Sequence, residues 1–344
     1  MASSLVTRYL CLALIIFSGF VSYLVIAIIL RIEVYNRSHE PLLYGFVQLR
    51  PKNFYLRQPR RILERICDDD ACLQDKKINW TMVTFIKSKA DYIRRREFLR
   101  KTWTSLSYVN GARFETVFLI GKTQDPYVTA LLDEEEERYG DILQFDGPDD
   151  YDNMPYKVLA GMEWASEHLD KHALYASADD DFLINIHTLV ESVKNIINES
   201  REATLNSTSY TNYRDLMPIM CMFIKGENEK PVRRPGWKWY VSFREYRQRT
   251  FPTYCHGGMY VMPLLKATNL WNESRTAPML RLDDVWITGI LRKRLNMSDH
   301  LVYKMPDLTK HFGTVNDVVM KKMQLEWDLM DIKHQKDVRC KCML

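Results

Sequence analysis

Three acids in a row, Asp179-Asp180-Asp181, interrupt a stretch that is apolar on both sides, from Ala173-Leu174-Tyr175-Ala176 to Phe182-Leu183-Ile184. An ionised carboxylate buried without a partner costs several kcal/mol, so three of them at the end of a core segment require a cation or a solvent-facing turn. Hard oxygen donors this closely spaced suit Mg²⁺ or Mn²⁺ rather than zinc, and such ions keep positions open for phosphate oxygens. A plain Asp-rich turn would satisfy the same three residues. A second acidic pair, Asp283-Asp284, stands directly before Val285-Trp286-Ile287, where a carboxylate caps the free N–H groups of a helix start.

The elements that must position the triplet alternate in period. Trp80 to Ile86 is β-branched and aromatic enough for a buried strand, and a basic helical run follows from Ala90 to Trp103. Thr116 to Ile120 is a second short apolar run closed by Gly121, and Leu131 to Tyr139 reads as a helix with a solvated acidic face, Asp133 to Glu137. Ile142 to Phe145 forms a third strand and Tyr156 to His168 an amphipathic helix leading into the Leu174 strand. This alternation predicts an α/β fold with a mostly parallel central sheet. Ligands of such sheets bind beyond the carboxyl ends of the strands, which is where the triplet falls. No Gly-X-Gly-X-X-Gly follows the first strand, no Walker motif is visible and no internal repeat occurs, so a dinucleotide site is not expected.

The chain has 344 residues, 46% of them hydrophobic, which permits a substantial core. Its 48 basic and 44 acidic residues nearly cancel, so no nucleic-acid footprint emerges. No charged residue occurs from Tyr9 to Leu30, a length that crosses a bilayer as one helix. This predicts a short cytoplasmic tail over 1–8, a transmembrane signal anchor in contact with membrane lipid over 9–30, a basic, proline-containing stem over 31–78 and a catalytic body over 79–344. Asn-X-Ser/Thr sequons lie at Asn36, Asn79, Asn198, Asn206, Asn272 and Asn296, and every cysteine but Cys11 follows the apolar segment. Together they favour a lumenal body in an oxidising compartment. Spacing alone does not decide which of Cys67, Cys72, Cys221, Cys255, Cys340 and Cys342 pair, and no repeated Cys-X2-Cys supports zinc.

Several blocks, in order, resemble glycosyltransferase family 31, the β1,3-galactosyltransferase and β1,3-N-acetylglucosaminyltransferase group of the GT-A fold. Arg95-Arg96-Glu97-Phe98-Leu99-Arg100-Lys101-Thr102-Trp103 is similar to the family's Arg-rich block, and Val117 to Gly121 to its next strand. Gly140 to Leu143 and Asp150 to Lys157 resemble two further elements, and Asp179 to Asn185 the DXD-type metal motif. Lys238 to Ser242, Pro252 to Val261 and Leu282 to Val285 match three later blocks. The chain departs from the pattern at Ser177, where Lys is common, at Met259 in place of Gly, at Asp283 in place of Glu, and at Met154-Pro155 in place of Leu-Thr. If the loop that carries Met259 lines the sugar pocket, its side chain would narrow it.

The resemblance implies a Rossmann-like nucleotide-sugar transferase domain that performs an inverting, metal-dependent transfer. A hexose, galactose foremost, would pass from a UDP-sugar to a hydroxyl of a glycan on glycoprotein or glycolipid. N-acetylglucosamine and N-acetylgalactosamine are the alternative sugars, and a catalytically inactive glycan-binding or chaperone-like membrane protein is the alternative of another class. Asp181 is the first expected ligand of Mn²⁺ or Mg²⁺, with Asp179 and Asp180 contacting metal, ribose or water. Asp284 is the expected base, with Asp283 behind it. Arg95, Arg100 and Lys157 are expected at the nucleotide, as cations that hold a diphosphate, with Gly257 and Gly258 beside the donor. Trp103 and Trp239 read as core residues before sugar platforms, and His256 and His311 as structural before ligating. A Cys221–Cys255 disulfide would brace the Gly257-Gly258 loop. The resemblance places the protein in the Golgi membrane as a single-pass type II protein, and leaves its oligomeric state open.

Overall fold

In the computed structural model, residues 55–67, 76–207, 212–226, 228–305, 309–313 and 316–331 are described. The strands are Tyr55–Arg57 (β1), Trp80–Lys87 (β2), Tyr108–Val109 (β3), Ala112–Lys122 (β4), Ile142–Pro148 (β5), Leu174–Asp179 (β6), Phe182–Ile184 (β7), Ile219–Lys225 (β8), Tyr254–Pro263 (β9), Val302–Lys304 (β10) and Thr309–His311 (β11). All but one residue of β2 is buried, as expected of a strand covered on both faces.

The main sheet runs β1-β5-β4-β2-β6-β9-β8-β10, with β3 attached to β4. Its centre, β5-β4-β2-β6, is parallel throughout. The other half turns antiparallel at β9, which pairs with β6 on one side and β8 on the other. Strands β7 and β11 form a separate antiparallel ribbon. The parallel centre expected from the sequence is therefore present within a mixed α/β sheet.

Helices cover both faces of the sheet: Arg60–Cys67 (α1), Ile93–Lys101 (α2), Pro126–Tyr139 (α3), Met154–His168 (α4), Ile186–Leu205 (α5), Leu264–Ser274 (α6) and Asp317–Asp331 (α7). Helix α5 starts where the Asn185 side chain accepts from the Thr188 amide, and it buries Leu189, Val190, Val193, Ile196 and Ile197 on one stripe. That stripe joins Met82, Ile86, Trp103 and Val261 in the larger core. On the opposite face, α4 approaches closely because Gly161 has no side chain: a Cβ there would stand 3.0 Å from Leu119. Phe85 stacks on Tyr175 at 4.9 Å and meets Trp164 edge-on at 6.1 Å.

Part of the stretch read as stem belongs to the body. β1 pairs antiparallel with β5, Ile62 of α1 is buried, and the Tyr55 hydroxyl donates to Ala160 O at 3.1 Å. Prolines and the lack of a helical period concealed a strand of three residues, too short to show alternation. The apolar segment 9–30 lies outside the described residues. Among the described residues no helix is long and apolar enough to cross a membrane.

Candidate active site

Two carboxylate groups far apart in the chain meet on one pair of backbone amides. Asp179 ends β6, and its Oδ2 accepts from the Gly258 amide at 3.1 Å. Asp284 Oδ2 accepts from the neighbouring Gly257 amide at 3.1 Å. The approach needs glycine at 258, where φ is +82° and a Cβ would stand 2.8 Å from the Phe182 ring. Strand β9 carries both glycines and is tied to β8 by the Cys221–Cys255 disulfide, with a Cα separation of 5.2 Å. The Cys255 amide also donates to Thr288 Oγ1 at 2.9 Å, joining this strand to the segment that follows Asp284.

That segment, Val285–Leu291, is π-helical, a wide turn found often at functional sites. Asp284 Oδ1 accepts from the Val285 amide at 2.8 Å, so the residue caps the turn while its other oxygen is held by Gly257, at the wall of the cavity. Burial, followed by the adjacent Asp283, pushes the Asp284 carboxyl up to about 7.

Lys87 links the two acidic groups. It is the last residue of β2, in parallel register with Asp179. Its Nζ lies 2.8 Å from Asp179 Oδ1 and 3.2 Å from Asp283 Oδ2. Burial alone would lower the Lys87 pKa, but Asp179 and Asp283 together hold it well above the usual lysine value. Asp179 answers in the opposite sense: burial would raise its pKa, and the charge and hydrogen bond of Lys87 bring it below the usual carboxylate value. The sequence reading ended the first strand at Ile86 and missed Lys87. Only the pairing of β2 with β6 distinguishes this lysine from an ordinary solvated strand end.

The triplet divides by direction. Asp181 faces the cavity, with Oδ2 3.2 Å from His311 Nε2 and Oδ1 buried with no protein partner. Asp180 turns the other way: Oδ2 accepts from Ser88 Oγ at 2.8 Å and Oδ1 from Arg95 Nη1 at 3.1 Å. Asp180, expected at metal, ribose or water, is thus held on both oxygens by Ser88 and Arg95 and does not line the cavity, whereas Asp179 and Asp181 do. His311 enters the site through the β7–β11 ribbon and stacks on Phe182 at 4.6 Å. Among the described residues no three His, Cys, Asp or Glu side chains already form a metal cage. The site instead places the Asp181 carboxylate, one oxygen buried and unpartnered and the other against an imidazole, in the same cavity as Asp179, a set of oxygen and nitrogen donors.

The cavity has a volume of about 640 Å³ and holds Asp179, Asp181, Asp283, Asp284, Gly257 and Gly258 on one wall. Trp239, His256 and Lys238 also line it. Trp239 is 51% exposed, which corrects its reading as core, whereas Trp103 is buried and its indole N–H donates to Phe182 O at 3.1 Å. Burial, followed by the nearby charge of Lys225, lowers the His256 pKa and favours the neutral ring at pH 7. Met259 does not narrow the cavity. It is 1% exposed within the core beneath the sheet, while its glycine neighbours face the site.

Of the three cations expected at a nucleotide, two are not brought there. Arg100 forms a bidentate pair with Asp141, at 2.8 and 2.7 Å, and reaches Glu135 at 2.7 Å. Lys157 is buried between Ser88 O, at 2.7 Å, and Asp149. Both fasten helices to strand ends, and neither lines the cavity. Arg95 reaches the triplet, but through Asp180 from behind. Five sequon asparagines, Asn79, Asn198, Asn206, Asn272 and Asn296, are exposed, and Asn36 lies outside the described residues, as do Cys72, Cys340 and Cys342.

The Galactosyltransferase family model matches residues 94–302, a span that includes the triplet, the two glycines and Asp284. Beta-1,3-galactosyltransferase 5 of Homo sapiens is 30% identical over 225 residues, covering 65% of this chain and 66% of the relative. Beta-1,3-galactosyltransferase brn of Drosophila melanogaster is 30% identical over 244 residues, 71% and 66% of the two chains. Beta-1,3-galactosyltransferase 1 of Mus musculus is 25% identical over 304 residues, 86% and 85%. The chain thus spans just under two thirds of the first two relatives. Among solved structures, the galactosyltransferase LgtC in complex with donor and acceptor sugar analogs is similar at 11% identity and a TM-score of 0.34, over 73% of this chain and 96% of that one, a likeness too distant to carry an argument. The family match and the relatives establish that the chain belongs to the galactosyltransferase family, the family 31 of glycosyltransferases.

Proposed function

We propose that the protein is an inverting β1,3-galactosyltransferase that moves galactose from UDP-galactose to a hydroxyl of a glycan on glycoprotein or glycolipid. The observation that carries this reading is the meeting of Asp179 and Asp284 on the Gly257-Gly258 amides in one cavity that Asp181 also lines. Asp181, His311 and Asp179 would hold Mn²⁺ or Mg²⁺, which supplies neutralisation of the charge growing on the departing diphosphate. Lys87 keeps Asp179 and Asp283 in place as a fixed cation. Asp284 takes the proton of the attacking hydroxyl on the face opposite the leaving group, and a carboxyl held near neutrality is matched to that task. Relatives named beta-1,3-galactosyltransferases support galactose as the sugar and a β1,3 linkage as the product.

The exposed sequons and the Cys221–Cys255 disulfide support a lumenal, type II placement in the Golgi membrane. The test of function is a screen of UDP-galactose, UDP-N-acetylglucosamine and UDP-N-acetylgalactosamine with a panel of glycan acceptors, with and without Mn²⁺. Transfer of galactose at least tenfold faster than either alternative, lost on chelation and in Asp181→Ala, is expected. Preference for an N-acetylated donor would replace the sugar, and donor hydrolysis with no transfer to any acceptor would remove the reading.

A further inference from the structure

The segment from Lys230 to Arg249 gives Lys230, Val232, Lys238 and Trp239 to the cavity lining and holds seven cations against a single carboxylate, Glu245. Its charge of +6 exceeds the +4 of the whole chain, so the remaining residues together carry −2. Only Arg233 among these cations is used to build the segment, donating to the carbonyls of Val241, Ser242, Tyr246 and Gln248. Lys230, Arg234, Lys238, Arg244, Arg247 and Arg249 are exposed, and among the described residues none of them forms an ion pair. Charges gathered on one segment without counter-charges repel one another and favour an anionic partner.

The same segment presents rings. Trp237 is 48% exposed, with the Arg234 guanidinium 5.4 Å from its centroid, and Lys238 Nζ lies 4.7 Å from the Tyr151 ring. Tyr151 and Lys238 belong both to the catalytic cavity and to a second, open groove of about 530 Å³ that Trp237 lines. The groove therefore leads away from Asp284 across an aromatic floor. Its carboxylates are already engaged: Asp152 with Arg281 at 2.9 Å, and Asp150 with the backbone and side-chain amides of Asn153 at 2.9 and 2.8 Å.

We infer that this groove is an acceptor subsite for an oligosaccharide that carries fixed negative charge, carboxylate or sulfate, on the units beyond the sugar that is extended. The inference rests on the transferase reading and names its acceptor class. Sugar faces stack on Trp237, while Lys238 within the groove and Arg234, beside the Trp237 ring at the groove's margin, hold the anionic groups. A flat anionic membrane would meet the same charges but has no use for a concave groove continuous with the cavity.

The test uses the full-length protein in neutral detergent. Its probes are a chondroitin sulfate hexasaccharide and the same hexasaccharide after desulfation and carboxyl reduction, with binding read from tryptophan fluorescence. The charged form is expected to bind at least tenfold more tightly. That preference should fall below threefold in the Arg234→Gln/Lys238→Gln variant and survive in Arg234→Lys/Lys238→Arg, while Trp237→Ala weakens both probes. Equal binding of the two probes, or a preference unchanged by loss of the two charges, would overturn the inference. So would binding to phosphatidylserine vesicles through these residues with no binding of either probe. UDP affinity of the wild-type protein is measured in parallel: intact UDP binding with no charge preference removes this inference alone, whereas absent UDP binding removes the transferase reading beneath it.

Discussion

At Asp284, the burial that makes a carboxylate costly also raises its pKa into the range that the proposed base role calls for. Because its carboxyl is pushed up to about 7, the ionised, proton-accepting fraction grows as pH rises through that value and falls about tenfold per unit below it. The rate of sugar transfer should therefore climb from pH 5.5 to about 7.5 and then level. Asp284→Asn should lose about 10²–10⁴ in kcat, the usual worth of a positioned base, and lose the acid limb with it, while binding of UDP persists. A variant that transferred at the wild-type rate would strip Asp284 of the role. Lys87 makes a different demand. Its removal leaves Asp179 and Asp283 facing each other with no cation between them. Lys87→Met should cost about 3 kcal/mol of stability, read as a lowered urea midpoint, and Asp283→Asn in the same chain should restore much of it. If the single variant matched the wild type in stability, Lys87 would not be the compensating charge.

Strand β1 shows what an edge element contributes at the next scale. It covers the outer edge of β5, whose unpaired N–H and C=O groups would otherwise invite pairing with another chain. Tyr55 and Gln58 also reach α4, through Ala160 O and the Trp164 indole N–H. A fragment beginning at residue 79 should therefore aggregate or express poorly, whereas one beginning near residue 50 should be monodisperse by size-exclusion chromatography. Equal behaviour of the two fragments would make β1 dispensable. The same comparison indicates what could be read from the chain alone. Parallel strands β2, β4 and β6 were legible because burial on both faces leaves continuous apolar runs, and the acids were legible because they end one of those runs. The role of Lys87 was not legible, since a lysine closing a strand resembles any solvated end until its parallel neighbour is known. Arg100 and Lys157 failed in the opposite direction. Their motifs were found, but the carboxylates that neutralise them, Asp141 and Asp149, come from elements whose packing no local pattern discloses. Trp239 looked like core because tryptophan usually is, yet it is 51% exposed and lines the cavity, in a turn-rich segment that no periodic pattern assigns to a face.

Across the whole molecule, the half-assembled state of the site becomes a measurable coupling. Asp181 Oδ1 has no protein partner, and among the described residues no ready-made cage surrounds it, so protein donors alone leave a divalent cation poorly coordinated. In the proposed reaction, UDP bound in the same cavity would supply the missing oxygen donors. Each ligand should therefore bind more tightly in the presence of the other, by the same factor in both directions. Thermal unfolding reads this directly, because a ligand at about 100 times its Kd adds about 2.7 kcal/mol to the folded state. For a chain of this size that corresponds to an increase in Tm of about 5 °C. Mn²⁺ alone and UDP alone should each give small shifts, the pair a shift well above their sum, and chelation should return the pair to the value of UDP alone. Asp181→Ala should abolish the excess while keeping the small UDP shift, since it removes the donor that the cation would use and leaves the rest of the cavity lining in place. Additive shifts in the wild type, or an undiminished excess in Asp181→Ala, would mean that cation and nucleotide do not share the site that the triplet opens.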